Sequence, residues 1–413
     1  MLKKILSLVL VVATIAAFGL VATSCNGTKE NSEVKLGVIL LHDETSTYDL
    51  NFLNAVNKAA EELGFKDSQL IIKRNIPESN VCYETALDLV DEGCNIIFAD
   101  SFGHGSFMVK AATENPDVQF CHATGTNAKT SDLKNFHNAF ASIYEGRFLA
   151  GVAAGLKLNE MIESGKITAD QAKMGYVGAF TYAEVISGYT SFYLGAKYVC
   201  PSVTMDVQFT GSWYDENAEK VAAISLINGG CVLISQHADS MGAPSACEEM
   251  GVPNVSYNGS TVEHCPNTFI VSSRIDWTPY FKYIVETVQN GGEIADDWVG
   301  TISTTSVVLT DVNTKAAAAG TVEKIEEVKA KLVDGSLDVF DTDTFTVTVT
   351  AEKNTNATVD ENGKLVSYLA DVEDYGDYVG ETNVVENGAF RESKYRSAPY
   401  FDVRIDGIEL LND

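Results

Sequence analysis

Short apolar runs alternate with segments of helical period along most of this chain, and no other feature constrains its fold as strongly. The first unit joins VKLGVILL (34–41), typical of a buried strand, to NFLNAVNKAAEELG (51–64), whose apolar residues recur on one helical face. The same pairing recurs in QLIIKRNI with NVCYETALDLVDEG, and in NIIFAD with FMVKAATEN. Strands of about six residues separated by helices indicate parallel sheets joined by right-handed crossovers.

A second series of such units begins after Tyr144, with MGYVGA and VISGYTSFYLGAKYV. We therefore predict an α/β fold of two doubly wound parallel-sheet lobes joined by a hinge. Residues 34–143 and 270–305 are assigned to the first lobe, and residues 144–269 and 306–339 to the second. Because ligands bind beyond the carboxyl ends of parallel strands, two facing sheets would hold a ligand in the cleft between them.

The last part of the chain departs from this alternation. FTVTVTAEKNTNATVDENGKLVSYLADV has the period-two pattern and the Asn/Gly turns of β hairpins, and SAPYFDVRIDGIELL is typical of one more edge strand. Residues 340–413 are therefore predicted to form a β-rich C-terminal extension on the second lobe.

The amino terminus has the pattern of an export signal. Two lysines precede an apolar stretch at residues 5–22, and small residues then lead to Cys25. The segment resembles a bacterial lipoprotein signal, with Ala22 where leucine is usual, which implies a signal peptide over residues 1–24 and lipid attachment at Cys25. The polar residues 25–33 would then be a tether. The alternative is an uncleaved anchor, since the stretch approaches the roughly 20 residues of a spanning helix. Both alternatives place the body at the membrane, outside the cytoplasm.

Charge and residue usage exclude several classes of function. The chain has 29 Lys and Arg against 57 Asp and Glu, a net charge of -28 without a basic cluster, so nucleic acid is not an expected partner. The seven cysteines after Cys25 include no CxxC pair and are predicted to be small buried hydrophobes. The six histidines have no metal-ligand spacing, so no metal site is predicted. GxSxG, Walker and HExxH motifs do not occur, so we predict neither an enzyme nor a cofactor.

Several segments, in this order, carry a resemblance to one family: SFGHGSFMVKAATENPDVQFCHATG, YEGRFLAGVAAGL, GYVGAFTYAEVISGY, FYLGAKYVCP, GSWYDENAEK, SQHADS and EEMGVPNVSYN. The chain resembles the basic membrane lipoprotein family of ABC-transporter substrate-binding proteins, which have a type I periplasmic-binding-protein fold. Members bind purine bases or nucleosides and deliver them to a membrane permease. The resemblance implies the same role here, with an ABC permease as partner.

Three aromatic residues follow strand ends, where a ligand would lie. Tyr48 stands where the family has a ring that stacks on the base, and Trp213 stands in GSWYD, where similar proteins place a tryptophan facing the cleft. Phe102 follows the strand NIIFAD. Stacking on a nucleobase is worth about 1–3 kcal/mol per ring. The alternative is that these rings are structural, Tyr48 covering a helix end and Phe102 or Trp213 filling the core.

The polar candidates also follow strands. Asp239 would accept hydrogen bonds from an amine, a ring N–H or ribose hydroxyls, and His237 is expected in the cleft wall. Asn258 ends a strand where nucleoside binders of the family often carry Asp, and Arg274 lies near the position of their ribose-contacting lysine. Both departures favour a free base over a nucleoside.

Two other functions stay open on the sequence alone. A receptor for another small solute, such as a sugar or an amino acid, could use the same scaffold and aromatic cleft. A surface adhesin or sensor could instead bind its partner through the extension. We also expect Glu145 and Arg147 to form an ion pair within a lobe or at the hinge.

Overall fold

The computed structural model of the protein describes residues 33–372 and 382–412. The predicted signal peptide and the predicted lipid site at Cys25 lie outside the described residues. Within those residues, no helix combines the length and the apolar character that a membrane crossing requires.

The described residues alternate between strands and helices as far as residue 333. The strands are β1 (Leu36–Ile39), β2 (Leu70–Lys73), β3 (Ile96–Ala99), β4 (Gln119–Ala123), β5 (Phe136–Ala141), β6 (Lys173–Gly178), β7 (Thr204–Phe209), β8 (Leu233–His237), β9 (Asn254–Tyr257), β10 (Phe269–Ile275), β11 (Asp297–Gly300), β12 (Val307–Leu309), β13 (Ala357–Val359), β14 (Leu365–Ala370), β15 (Thr382–Asn383), β16 (Val385–Glu386), β17 (Ala389–Phe390) and β18 (Ile408–Leu410). The helices are α1 (Thr47–Glu62), α2 (Asn80–Asp91), α3 (Gly105–Glu114), α4 (Asn127–Thr130), α5 (Ile143–Glu163), α6 (Ala183–Val199), α7 (Glu216–Asn228), α8 (Gly242–Met250), α9 (Thr278–Gln289) and α10 (Thr321–Val333), with 3-10 turns at Asp67–Gln69, Phe102–His104 and Ala169–Gln171.

The first sheet has six parallel strands in the order β11-β5-β4-β3-β1-β2. Its central strands β1 and β3 are buried at every position, which explains why they are apolar throughout. Helices cover both faces: Phe52 of α1 stacks on Trp277 at the start of α9, with ring centroids 4.6 Å apart. Leu89 of α2 and Met108 of α3 belong to the core of the opposite face.

The second sheet has seven strands in the order β12-β10-β9-β8-β6-β7-β18, all parallel except β12, which runs antiparallel to β10. Helices α5 and α6 pack closely against each other. A Cβ on Gly151 of α5 would lie 2.0 Å from the Phe192 carbonyl oxygen of α6, so this contact requires glycine. The predicted α/β fold with two parallel sheets is confirmed.

The chain passes between the two sheets three times from β5 to β12. The predicted assignment of β10 to the first lobe is wrong. We assigned residues from 270 onward to the first lobe, but β10 pairs with β9 in the second sheet, and the chain returns to the first sheet only with α9 and β11. The connecting segments are bonded to one another, with Ser142 N donating to Gly300 O at 2.8 Å and Asp276 N to Ser306 O at 2.8 Å. They mark where a hinge would lie.

The seven cysteines after Cys25 are all buried, as the sequence predicted. None of them forms a disulfide in the described residues. The fold is therefore stabilised by its cores, which a chain of this length can bury.

The C-terminal extension contains β13 to β18, so its predicted β character is confirmed. Strand β18 adds to the second sheet by pairing with β7, as predicted for an edge strand. The extension also contacts the first sheet, because Ser397 N donates to the Asp297 carboxylate of β11 at 2.7 Å. Glu392 accepts a hydrogen bond from Ser187 Oγ of α6 at 2.7 Å. The extension thus joins elements of both sheets.

Glu392 makes the stability of the protein depend on pH. The residue is 1% exposed, and burial raises the pKa of its carboxyl from 4.5 to about 7. A raised folded-state pKa means that its contribution to stability is full below pH 4.5 and is lost as the pH rises through 7. We expect the free energy of unfolding of the wild-type protein to fall by about 3 kcal/mol between pH 4.5 and 8 because of Glu392. The Glu392→Gln variant should not show this decrease.

Urea unfolding of the two proteins at both pH values measures this difference. Glu323 is exposed on α10, so Glu323→Gln is the matched control and should follow the wild type. An equal pH dependence in wild type and Glu392→Gln would contradict the expectation.

Candidate ligand-binding site

A cavity lies where the carboxyl ends of strands from both sheets meet. The lining residues follow β1, β3 and β4 of the first sheet and β6 to β9 of the second, or begin α1 and α6. They are Leu41, His42, Tyr48, Ser101, Phe102, Thr124, Glu184, Trp213, His237, Asp239, Tyr257 and Asn258.

All six residues predicted to bind ligand line this one cavity. Two come from the first sheet and four from the second: Tyr48 and Phe102, then Trp213, His237, Asp239 and Asn258. The structure therefore brings the predicted set together from segments far apart in the chain. Their binding role itself stays a prediction.

Tyr48 is held in place by two contacts. Its hydroxyl donates to the Asp100 carbonyl oxygen at 2.7 Å, and its ring meets Phe52 edge-on with centroids 4.9 Å apart. Both contacts come from the first sheet and its helix α1. The ring is thus fixed at the cavity wall before a ligand arrives, which lowers the entropy lost on stacking.

Trp213 lies in the segment between β7 and α7. Its indole meets Phe180 edge-on, with centroids 5.1 Å apart, and Tyr182 lies 6.0 Å away. The three rings come from the second sheet and its loops. Of the three, Trp213 lines the cavity, and the other two rings pack behind or beside it.

Direct contacts join the two sides of the cavity. Thr47, the first residue of α1, donates to the Asp239 carbonyl oxygen from its amide at 3.1 Å and from its hydroxyl at 3.2 Å. The Phe102 and Tyr182 rings lie 5.7 Å apart, and His42 and Tyr214 lie 5.4 Å apart. The structure is therefore in a closed arrangement, with elements of the two sheets touching across the cleft.

Asp239 is the most buried acid among the lining residues, at 6% exposed. Asn258 Nδ2 donates to Asp239 Oδ1 at 3.3 Å. The backbone of Asn258 has a φ of 65°, a conformation that asparagine tolerates better than most residues. Burial raises the pKa of Asp239 well above its ordinary value, and the acids Asp49, Glu219 and Glu184 raise it further. A donor group of a ligand would favour its charged form.

The sequence did not single out five polar or aromatic lining residues, one of which is Ser101, which follows β3. His42 follows β1 and lies 3.5 Å from Asp49, measured from Nδ1 to Oδ2. Glu184 begins α6 after β6, Tyr257 ends β9, and Thr124 follows β4. His42, Thr124 and Tyr257 could have been found by the criterion that identified Asp239, a polar or aromatic residue at the end of a parallel strand.

The predicted ion pair between Glu145 and Arg147 does not form. Arg147 is fully buried and donates to Ser235 Oγ at 3.3 Å and to the Gln236 carbonyl oxygen at 3.2 Å. Its guanidinium lies 4.8 Å from the centroid of Tyr257. Glu145 accepts from Ile302 N at 2.7 Å, and burial raises its pKa to about 7. The two side chains point into different surroundings because they lie two positions apart on one helix.

Residues 37–341 match the family of ABC transporter substrate-binding proteins described as PnrA-like. The chain belongs to this family. Since the match ends at residue 341, nearly all of the C-terminal extension lies outside it.

Two relatives of this PnrA-like protein differ in the ligands that their names state. A purine-binding protein of Brucella abortus is 31% identical over 287 residues, 68% of this chain and 75% of that protein. A Haloferax volcanii protein, named as an ABC transporter glucose-binding protein, is 28% identical over 246 residues, 60% of this chain and 59% of that protein.

Solved structures of ABC transporter solute-binding proteins share the fold of this family member. The protein from Conexibacter woesei has a TM-score of 0.60 at 17% identity, covering 74% of this chain and 98% of that one. The protein from Aeropyrum pernix has a TM-score of 0.62 at 16% identity, covering 77% and 95%. The family and its fold are those of solute-binding receptors.

Proposed function

We propose that this protein is an extracytoplasmic receptor that captures a purine base between its two sheets and hands it to an ABC permease. The observation that supports this proposal is the shared cavity, which is lined by Tyr48 and Phe102 on one side and by Trp213, Asp239 and Asn258 on the other. A purine has two flat faces and a polar edge, so it needs rings and a few fixed polar groups. The purine-binding relative supports the same ligand class.

A base is favoured over a nucleoside because the cavity offers little for a ribose. Arg274, near the position of the family's ribose-contacting lysine, does not line the cavity; its Nη1 lies 3.3 Å from Asn51 Oδ1. Asn258 replaces the acid that nucleoside binders often have and is already bonded to Asp239. In the described residues, no Lys or Arg lines the cavity.

Closure and ligand capture are coupled through Asp239. Its side chain lines the cavity, while its backbone carbonyl accepts both hydrogen bonds from Thr47 across the cleft. A ligand that contacts both sides binds the closed form better and shifts the population towards it. Release to a permease then requires that these cross-cleft contacts break.

We also propose that a lipid on Cys25 holds the folded part of the protein at the membrane. The two lysines, the apolar stretch and the small residues before Cys25 support export and lipid attachment. A lipid tether would keep the receptor close to the permease, which raises its effective concentration there.

A sugar receptor is the second candidate. The Haloferax relative named for glucose favours it, and the carboxylates Glu184 and Asp239 beside Trp213 would also suit sugar hydroxyls. Sugar sites use the same combination of ring stacking and acid acceptors, so the class of ligand must be measured.

Calorimetric titration of ligand-stripped protein separates the two candidates. We expect binding heat with adenine, guanine or hypoxanthine, weaker binding of the matching nucleosides, and none with glucose. Binding of glucose without binding of any purine would overturn the purine proposal in favour of the sugar receptor.

A further inference from the structure

Glu184 provides a fixed hydrogen-bond acceptor in the cavity wall. It is the second residue of α6, and its side chain is 15% exposed at the cavity. Within residues 33–372 and 382–412, His237 is the one side chain that forms an ion pair or hydrogen bond with it, with Nε2 lying 3.4 Å from Oε1. The other carboxylate oxygen, Oε2, is therefore left for a ligand.

His237 positions this carboxylate. The ring is 2% exposed and lies 4.5 Å from the ring of Tyr257. On its other edge, a Cβ added to Gly188 of α6 would lie only 2.7 Å from Nδ1, so the ring cannot move towards that helix. Burial lowers the pKa of His237, so the ring is neutral near pH 7. Its proton then lies on Nε2, facing Glu184, because that nitrogen has an acceptor beside it.

The environment of His237 Nδ1 is consistent with a proton on Nε2. Nδ1 is buried and has no hydrogen-bond partner in the described part of the chain. A bare lone pair at Nδ1 avoids leaving a buried N–H donor without an acceptor. His237 therefore turns an N–H group towards the Glu184 carboxylate, with Nε2 3.4 Å from Oε1.

We infer that Glu184 determines specificity by accepting a hydrogen bond from the exocyclic amino group of a purine. This inference rests on the proposed function. Glu184 and Asp239 supply acceptors, whereas neither Lys nor Arg lines the cavity in the part of the chain that the structure describes. A ligand edge that carries only acceptors would face lone pairs of the Glu184 carboxylate, which has no hydrogen to donate, while an amino group would form a charge-assisted hydrogen bond with it.

Matched ligand pairs test the inference on the wild-type protein. Adenine differs from unsubstituted purine, and guanine from hypoxanthine, by one amino group. In at least one pair, the amino-bearing member is expected to bind about tenfold or more tightly, the value of one hydrogen bond to a charged group. Titration calorimetry at pH 7 gives both dissociation constants.

Two variants assign the preference to Glu184. Glu184→Gln replaces one acceptor oxygen with a donor, and we expect the affinity ratio of that pair to fall to within about threefold. Gly188→Ala would displace His237 and should lower the same ratio, which a general loss of stability would not do. Glu323→Gln, on the exposed face of α10, should keep the wild-type ratio.

The outcomes separate this inference from the proposed function. Purine binding with equal affinities in both pairs, or a preference unchanged in Glu184→Gln, would overturn the role of Glu184 and leave the purine receptor standing. If no purine binds to the wild-type protein, the proposed function itself fails.

Discussion

Replacing Trp213 with alanine is expected to weaken purine binding by about 1–3 kcal/mol, or roughly fivefold to 150-fold. The indole of Trp213 lines the cavity on the second-sheet side, so its loss removes the surface that would cover one face of the base. Trp213 is only partly buried, in the segment between strand and helix, and its removal leaves the central strands intact. Titration calorimetry of both proteins with the tightest-binding purine measures the change.

Two further variants make this result specific to stacking. Trp213→Phe keeps a flat ring and should stay within about threefold of the wild type. Tyr198 is 40% exposed on α6 and does not line the cavity, so Tyr198→Ala should bind like the wild type. Wild-type affinity in Trp213→Ala would mean that this ring does not contact the ligand.

Replacing Thr47 with proline is expected to weaken ligand binding by about 1–3 kcal/mol through loss of closure. Proline has neither the amide nor the hydroxyl that donate to the Asp239 carbonyl oxygen, so this oxygen would lose both partners in the closed form. Helix α1 should persist, because Thr47 is its first residue, a position that favours proline. Ser46 before it is already extended, with φ -82° and ψ 128°, as a residue before proline must be.

The controls for Thr47→Pro separate closure from folding. Thr47→Ser keeps both donors and should bind like the wild type. Thermal unfolding of Thr47→Pro without ligand should remain close to that of the wild type, while small-angle scattering with ligand should show less compaction. Unchanged affinity in this variant would show that the contacts between Thr47 and Asp239 contribute nothing to binding.

The sequence predicted the two parallel sheets because strands that are buried on both faces are apolar at every position. Ile96–Ala99 and Leu36–Ile39 are apolar at every position and are buried at every position. The assignment of β10 was wrong for a physical reason: the apolar run at Phe269–Ile275 shows that a strand forms, whereas its partner β9 is fixed by non-local pairing. The helix that follows it packs on the first sheet, as we expected.

The candidate site was predictable to the extent that strand ends mark it. Tyr48, Trp213 and Asp239 were found because they follow strands and match family motifs, and they line one cavity. Glu184 was missed because it is the second residue of a helix, where an acid is common for helix stability alone. Thr124 has a φ of 63°, which is strained for a β-branched residue, and no sequence pattern indicates such a backbone at the cavity wall.

A crystal structure of the protein with adenine or guanine tests the central claim most directly. The account predicts a flat ring enclosed between Tyr48 and Trp213, with its polar edge towards Asp239 and its amino group beside Glu184. A purine bound elsewhere, or a cavity that holds a sugar and excludes the base, would contradict it.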